Sequence, residues 1–173
     1  MKKTVIKVAL SESGINKAIR EVEAFKRDFL RKAETYKNRI AEEIAKTAEL
    51  NFSGAIVDDI INGAPRKADV KVYVSDREDI TVIVAYGKDA VWCEFGAGVY
   101  HNGSVGSSPH PNGASLGFTI GSFGENGKRQ AWGYRDESGE LVITRGSPAT
   151  MPMYNAARDV MSRAVQIARE VFV

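Results

Sequence analysis

The chain has 173 residues, 43% of them apolar and 27% charged, an ordinary composition for one globular domain. At that length a single core buries roughly 70% of the unfolded surface. Its 24 Lys and Arg against 22 Asp and Glu leave a net charge of +2, short of the strongly basic footprint of a dedicated nucleic-acid binder.

The single cysteine, Cys93, excludes an intramolecular disulfide and suits a reducing compartment. The basic start of the chain, Met1-Lys2-Lys3, is not followed by an apolar run of signal-peptide length. No stretch approaches the roughly 20 apolar residues that span a bilayer. The expectation is a protein made in the cytoplasm, with no membrane partner.

In chain order, Lys3–Ala9 reads as a short strand. Ser11-Glu12-Ser13-Gly14 supplies helix-capping chemistry. Apolar residues then recur at Ile15, Ile19, Val22, Phe29, Ala33, Tyr36, Ile40, Ile44 and Ala48, in steps of three and four apart from a gap at Lys26. No proline or glycine interrupts this pattern, which predicts a helix over residues 11–53 with Gly54 as its C-cap. Unbroken, such a helix spans about 60 Å. Either it bends near Tyr36-Lys37-Asn38, or part of it projects and needs another chain to cover its stripe.

After Asn62-Gly63-Ala64-Pro65 the period changes to two. Val70, Val72 and Val74, then Ile80, Val82 and Val84, flank a polar turn and predict a β-hairpin. Gln130–Arg135 and Glu140–Thr144 predict a second. Helical spacing returns from Met153 to Phe172, with Thr150 as cap and Pro152 tolerated in the first turn. Between the hairpins, residues 97–128 read as a long glycine-rich insertion; nine of the sixteen glycines fall between Gly96 and Gly127. Ordered domains rarely keep a loop beyond roughly 12–15 residues without using it.

The expected fold is α+β in a single domain, residues 1–173. A small antiparallel sheet of two hairpins, plus the N-terminal strand, is packed by the long helix (11–53) and a C-terminal helix (151–172).

Three uses of the glycine-rich segment compete: catalytic lid, phosphate cradle, or arm gripping a neighbour. For catalysis, Cys93, His101 and His110 are the candidates, with Glu94 as orienting group. Seven residues separate Cys93 from His101 and eight separate His101 from His110, a spacing that matches no familiar zinc pattern. Cys93 among Val91, Trp92 and Phe95 reads as a small buried hydrophobe, and the two histidines as polar loop residues. No catalytic, metal-binding or cofactor-binding residue is assigned.

The cradle fails on counting. Five residues separate Gly121 from Gly127, one more than a phosphate loop allows, and Arg129 stands where Ser or Thr must hold magnesium. Lys26, Arg27, Arg31 and Lys32 could touch DNA phosphates, but the acidic residues interleaved along the same helix make a solvated face the favoured reading. The arm remains, with Phe118, Phe123 and Trp132 as apolar anchors of the kind that bury at interfaces.

Three segments carry a family resemblance: Val91-Trp92-Cys93-Glu94-Phe95-Gly96, then His110-Pro111, then Gly146-Ser147-Pro148-Ala149-Thr150-Met151-Pro152-Met153-Tyr154-Asn155-Ala156-Ala157. In order and spacing the chain resembles the tail-component proteins of tailed bacteriophages, the tail-completion or neck proteins. Their pattern has Glu-Phe-Gly after a hairpin, a variable loop, and a Gly-x-Pro-Ala-x-Pro-Phe-Met-like entry to the last helix. Ala97 departs from the usual Thr, and Met151-Pro152 from the usual Pro-Phe.

The resemblance covers most of the chain and implies a structural virion protein of a phage or prophage. Its expected place is the head–tail neck, after assembly in the host cytoplasm. Its expected partners are itself, in a ring taken as six-fold, and other phage neck and tail proteins. A DNA-contacting assembly factor is the alternative, and a Cys/His-dependent enzyme the third. Glu94, Phe95, Gly96, Pro148, Pro152 and Met153 become structural-motif or interface candidates beside Phe118, Phe123 and Trp132. Glu94 is expected to accept hydrogen bonds from the glycine turn that follows it, with Phe95 anchoring that turn in the core and Met153 opening the last helix's buried stripe.

Overall fold

The structure, a computed structural model, describes residues 5–57, 60–77, 80–97, 108–116 and 131–173. Helix α1 runs Glu12–Ser53 without a break, so its 42 residues span about 63 Å. Ser11 caps it, its Oγ accepting the Gly14 N–H at 3.2 Å. Gly54 follows as the C-cap in a right-handed conformation, so the left-handed freedom that favours glycine at helix ends is not used there. Lys3 and Thr4 lie outside the described residues, and Val5–Ala9 form no strand, which corrects the N-terminal expectation there; the residues alternate poorly, and four of the five are exposed.

Of the two alternatives for the long helix, projection is the outcome. The C-terminal part of α1 lies on the core through Ile44, Ala48 and Phe52, with Tyr36 and Ile40 packed alongside. From Glu21 to Leu30 every residue is exposed. Ion pairs at helical spacing run along the outer surface, among them Lys17–Glu21 at 4.0 Å and Arg39–Glu43 at 3.1 Å.

The strands are β1 (Ile56–Val57), β2 (Arg66–Lys67), β3 (Lys71–Arg77), β4 (Ile80–Tyr86), β5 (Trp132–Arg135) and β6 (Leu141–Thr144). They pair antiparallel as β1–β2, β3–β4 and β5–β6, three separate two-stranded sheets among the described residues instead of one common sheet. The α+β class holds. Both expected hairpins are present; the first carries its strands further into the predicted turn, with Arg77 paired to Ile80.

A two-stranded sheet is marginal in water unless something packs on it. Val72 and Ile83 of β3–β4 find that support on the cluster of Ile44, Ala48, Ala156, Val160 and Ile167. Val70, Val72 and Ala85 pack against a second cluster formed by Phe52, Ala55, Val57 and Cys93.

A six-residue helix, α2 (Ala90–Phe95), follows the hairpin. The C-terminal helix comes in two pieces, α3 (Pro152–Ser162) and α4 (Ala164–Val171), which corrects the continuous 151–172 expectation. At Arg163 the backbone N–H turns to Val160 O at 3.0 Å, a tighter i−3 bond that ends one helix and begins the next. Arg163 also reaches Glu43 on α1 at 3.2 Å, and Arg39 reaches Glu170 on α4 at 2.6 Å. Polar contacts therefore tie α3 and α4 to α1 at the margin of the apolar core. Among the described residues no helix is long and apolar enough to cross a membrane.

Candidate functional site

Two segments far apart in sequence, residues 93–97 and 146–154, meet at the start of α3. Every helix begins with orphan backbone N–H groups, and α3 lacks a side-chain cap of its own. Its N-cap is Met151, held at φ 50°, ψ 53° in the left-handed region that non-glycine residues rarely adopt. Thr150, expected as the cap, instead turns its hydroxyl to Cys93 O at 3.4 Å.

The cap comes from Glu94. Its Oε2 accepts the Met153 N–H at 2.8 Å and its Oε1 the Tyr154 N–H at 2.9 Å. A carboxylate there is favoured twice, by charge-assisted bonds and by the positive end of the helix dipole. This corrects the expectation that Glu94 serves the following glycine turn: its donors lie 59 and 60 residues onward. Glu94 is buried at 8% exposure, so the two bonds keep a charged group from standing unpaired in the interior.

The neighbouring backbone joins the same latch. Thr150 N and Met151 N both donate to Cys93 O, at 2.9 and 3.2 Å. Ala97 and Ser147 exchange reciprocal backbone bonds of 2.8 and 3.1 Å. Between them Gly96 closes α2 at φ 78°, a conformation that suits glycine, and donates to Trp92 O at 2.8 Å. Pro152, buried, takes the first helical position, where its missing N–H costs nothing. Pro148 is half-buried, and half-buried Met153 packs against both core clusters.

His110 is buried, not the polar loop residue expected. Its Nε2 lies 3.3 Å from Glu94 Oε1, and its Nδ1 accepts the Asn112 N–H at 3.1 Å. Because Nδ1 accepts, the neutral ring carries its proton on Nε2, the nitrogen that faces Glu94. The ring packs between Phe95, at 4.5 Å, and Tyr154, at 5.3 Å between centroids. Phe95 therefore anchors the 108–116 segment against α3. Ser108 Oγ donates to Phe95 O at 2.5 Å, and Gly113 lies so close to Ser108 that an added Cβ would stand 2.5 Å from the serine Cβ.

An ion pair on a buried carboxylate has no signature in the sequence. Arg66 grips Asp89 with two bonds of 2.7 and 2.9 Å, and the Asp69 N–H adds a third at 2.8 Å. Burial pushes the Asp89 carboxyl upward, but Arg66 and the Asp69 N–H outweigh it and hold the group below its ordinary value.

Cys93 is fully buried, as its apolar neighbours implied. Burial first, and the negative charge of Asp89 next, push its thiol up to about 12, so at neutral pH it stays protonated and is a poor nucleophile. Among the described residues no group of three or more His, Cys, Asp or Glu side chains is placed to hold a metal ion. In the basic cluster of α1, Arg31 and Lys32 both pair with Asp28, at 2.7 and 3.4 Å, and so spend charge within the helix.

His101, Phe118 and Phe123 lie outside the described residues, as does the side chain of Trp132, whose backbone pairs with Thr144 in β5–β6. The described candidates divide clearly. Glu94, Phe95, Gly96, Pro152 and Met153 come together in one interlocked structure with His110, a residue that sequence reasoning leaves in the loop. Comparison with models of known protein families, with curated proteins and with solved structures gives no match.

Proposed function

We propose that this chain is a structural, non-enzymatic virion protein of a tailed phage or prophage. It completes the tail and joins it to the head at the neck, as one subunit of a homo-oligomeric ring that also contacts other neck and tail proteins. The observation that carries an assembly role is the exposed apolar stripe on the projecting half of α1. Ile15, Ile19, Val22, Phe25 and Phe29 lie on one side of it, each 45–53% exposed. A contiguous apolar face on an otherwise charged helix marks an interaction surface.

The phage assignment rests on the motif resemblance, and the chemistry of those motifs supports a scaffold. Glu94 is committed to two backbone N–H groups and His110, and the Cys93 thiol is held protonated. The same latch anchors the base of the 97–128 segment, where an arm reaching a neighbour would need a rigid root.

Deleting residues 99–126 tests the arm. The variant is expected to keep its helical circular dichroism and to lose ring formation in electron micrographs; rings of normal size and number would refute the arm. Gold-labelled antibody on purified particles tests location, with label expected at the head–tail junction. Label confined to the capsid shell or tail tip would refute the neck assignment.

A further inference from the structure

The hairpin β3–β4 has two apolar faces, and the core clusters of the described residues pack on one of them. Its register puts Val72, Val74, Ile83 and Ala85 on the inward side and Tyr73, Ile80, Val82, Val84 and Tyr86 on the other. The inward side rests on the core, against which Tyr36 and Ile40 of α1 also pack. Outward, Tyr73, Ile80 and Tyr86 are 50%, 66% and 71% exposed.

We infer that the projecting half of α1 from one copy lies across the outward face of β3–β4 in a second copy. This rests on the self-assembly reading above and gives it an interface. Because α1 is one unbroken helix whose C-terminal part packs on the inward face, its N-terminal half cannot return over the far side of the same hairpin. An α1 stripe lying on that face therefore comes from another chain.

A second copy fits on three counts. The stripe from Ile15 to Phe29 is about 21 Å long, and a seven-residue strand about 23 Å. The contact repeats one already present within the chain, where the next stretch of the same stripe, Tyr36 and Ile40, packs beside Val72 and Ile83. Charges also match in sign: the outward face carries Lys71 and Arg77, and Glu23 flanks the stripe. Lys26, which interrupts the stripe between Val22 and Phe29, has a stem long enough to keep its ammonium in water. Donor and acceptor surfaces differ, so the contact is head-to-tail and closes into a ring when the rotation between copies permits.

Mixed disulfide trapping tests this. Val22→Cys protein and Val84→Cys protein are oxidised separately and as an equal mixture, beside the unsubstituted chain in sedimentation velocity; the buried Cys93 does not compete. The mixture is expected to give a disulfide joining position 22 of one copy to position 84 of another, mapped by mass spectrometry, several-fold above any dimer in either single sample. Lys17→Cys, on the opposite face of α1, should give none when mixed with Val84→Cys. Dominant dimers of the Val22→Cys protein with itself would overturn the inference in favour of a helix pair. Absence of cross-links from a protein that still sediments as an oligomer would overturn it while leaving the ring intact. A chain that sediments as a monomer at every concentration and gives no cross-link would remove both.

Discussion

The two halves of α1 share one apolar stripe and meet opposite environments. From Tyr36 onward it is covered by β3–β4, α3 and α4, and Ala48 and Phe52 are almost fully enclosed. Before Phe29 the same periodicity continues into solvent. Helix propensity and surface ion pairs account for both halves as helix; only packing distinguishes them. A stripe extended past the core it serves is stable as local structure, yet leaves apolar area that the monomer gains nothing from. The C-terminal half therefore reports on folding, and the N-terminal half is where the proposed assembly is tested.

The sharpest way to break that division is to truncate one aromatic in each half. Phe52→Ala empties a buried site and is expected to cost about 3–5 kcal/mol, lowering the thermal midpoint by roughly 10 °C. Glu94→Gln comes next: its amide turns an N–H toward the orphan N–H groups of α3 and loses the charge that His110 faces. The expected loss is about 1–3 kcal/mol in denaturant unfolding, and an unchanged midpoint would refute the latch.

The Arg66–Asp89 pair sharpens the folding side through pH. Because the folded-state value of Asp89 is depressed, its contribution is fully present above the unfolded value near 4. It is lost as pH falls through the lower folded value. Wild type should thus exceed Arg66→Met in urea midpoint at pH 7, and the gap should narrow in acid; a gap constant down to about pH 2.5 would contradict the assignment. The smallest effect belongs to Phe25→Ala in the projecting half, within about 0.5 kcal/mol on the monomer's unfolding. Its thermal melt under monomeric conditions should overlay wild type, and a loss as large as that of Phe52→Ala would erase the distinction between the halves.

What the sequence discloses follows from how local each signal is. The stripe of α1, the alternation of β3 and β4 and the Ser11 cap are written in neighbouring residues. Helix α2 is too short for a helical period to show over Ala90–Phe95, and β1 and β2, at two residues each, have no period at all. The interruption at Arg163 carries neither proline nor glycine to announce it. The Glu94 latch is half legible: its residues stand out in the motifs, but its bonds close across 59 residues, and nothing local pairs a carboxylate with a distant helix end. One clue is present. Met151 before Pro152 is a poor cap, so the N-terminus of α3 needs an acceptor from elsewhere. His110 escapes sequence reasoning because a histidine among glycines and prolines looks exposed until the aromatic rings on either side of it are known.

The central claim is that the projecting stripe exists for self-assembly, and sedimentation velocity across a wide concentration range tests it most directly. Wild type should form an oligomer of the 18.9 kDa chain, while Ile19→Asp/Phe25→Asp, altered only at exposed positions, should sediment as a monomer with unchanged circular dichroism. A wild-type chain that stays monomeric throughout, or a double variant that assembles as wild type does, would contradict the account.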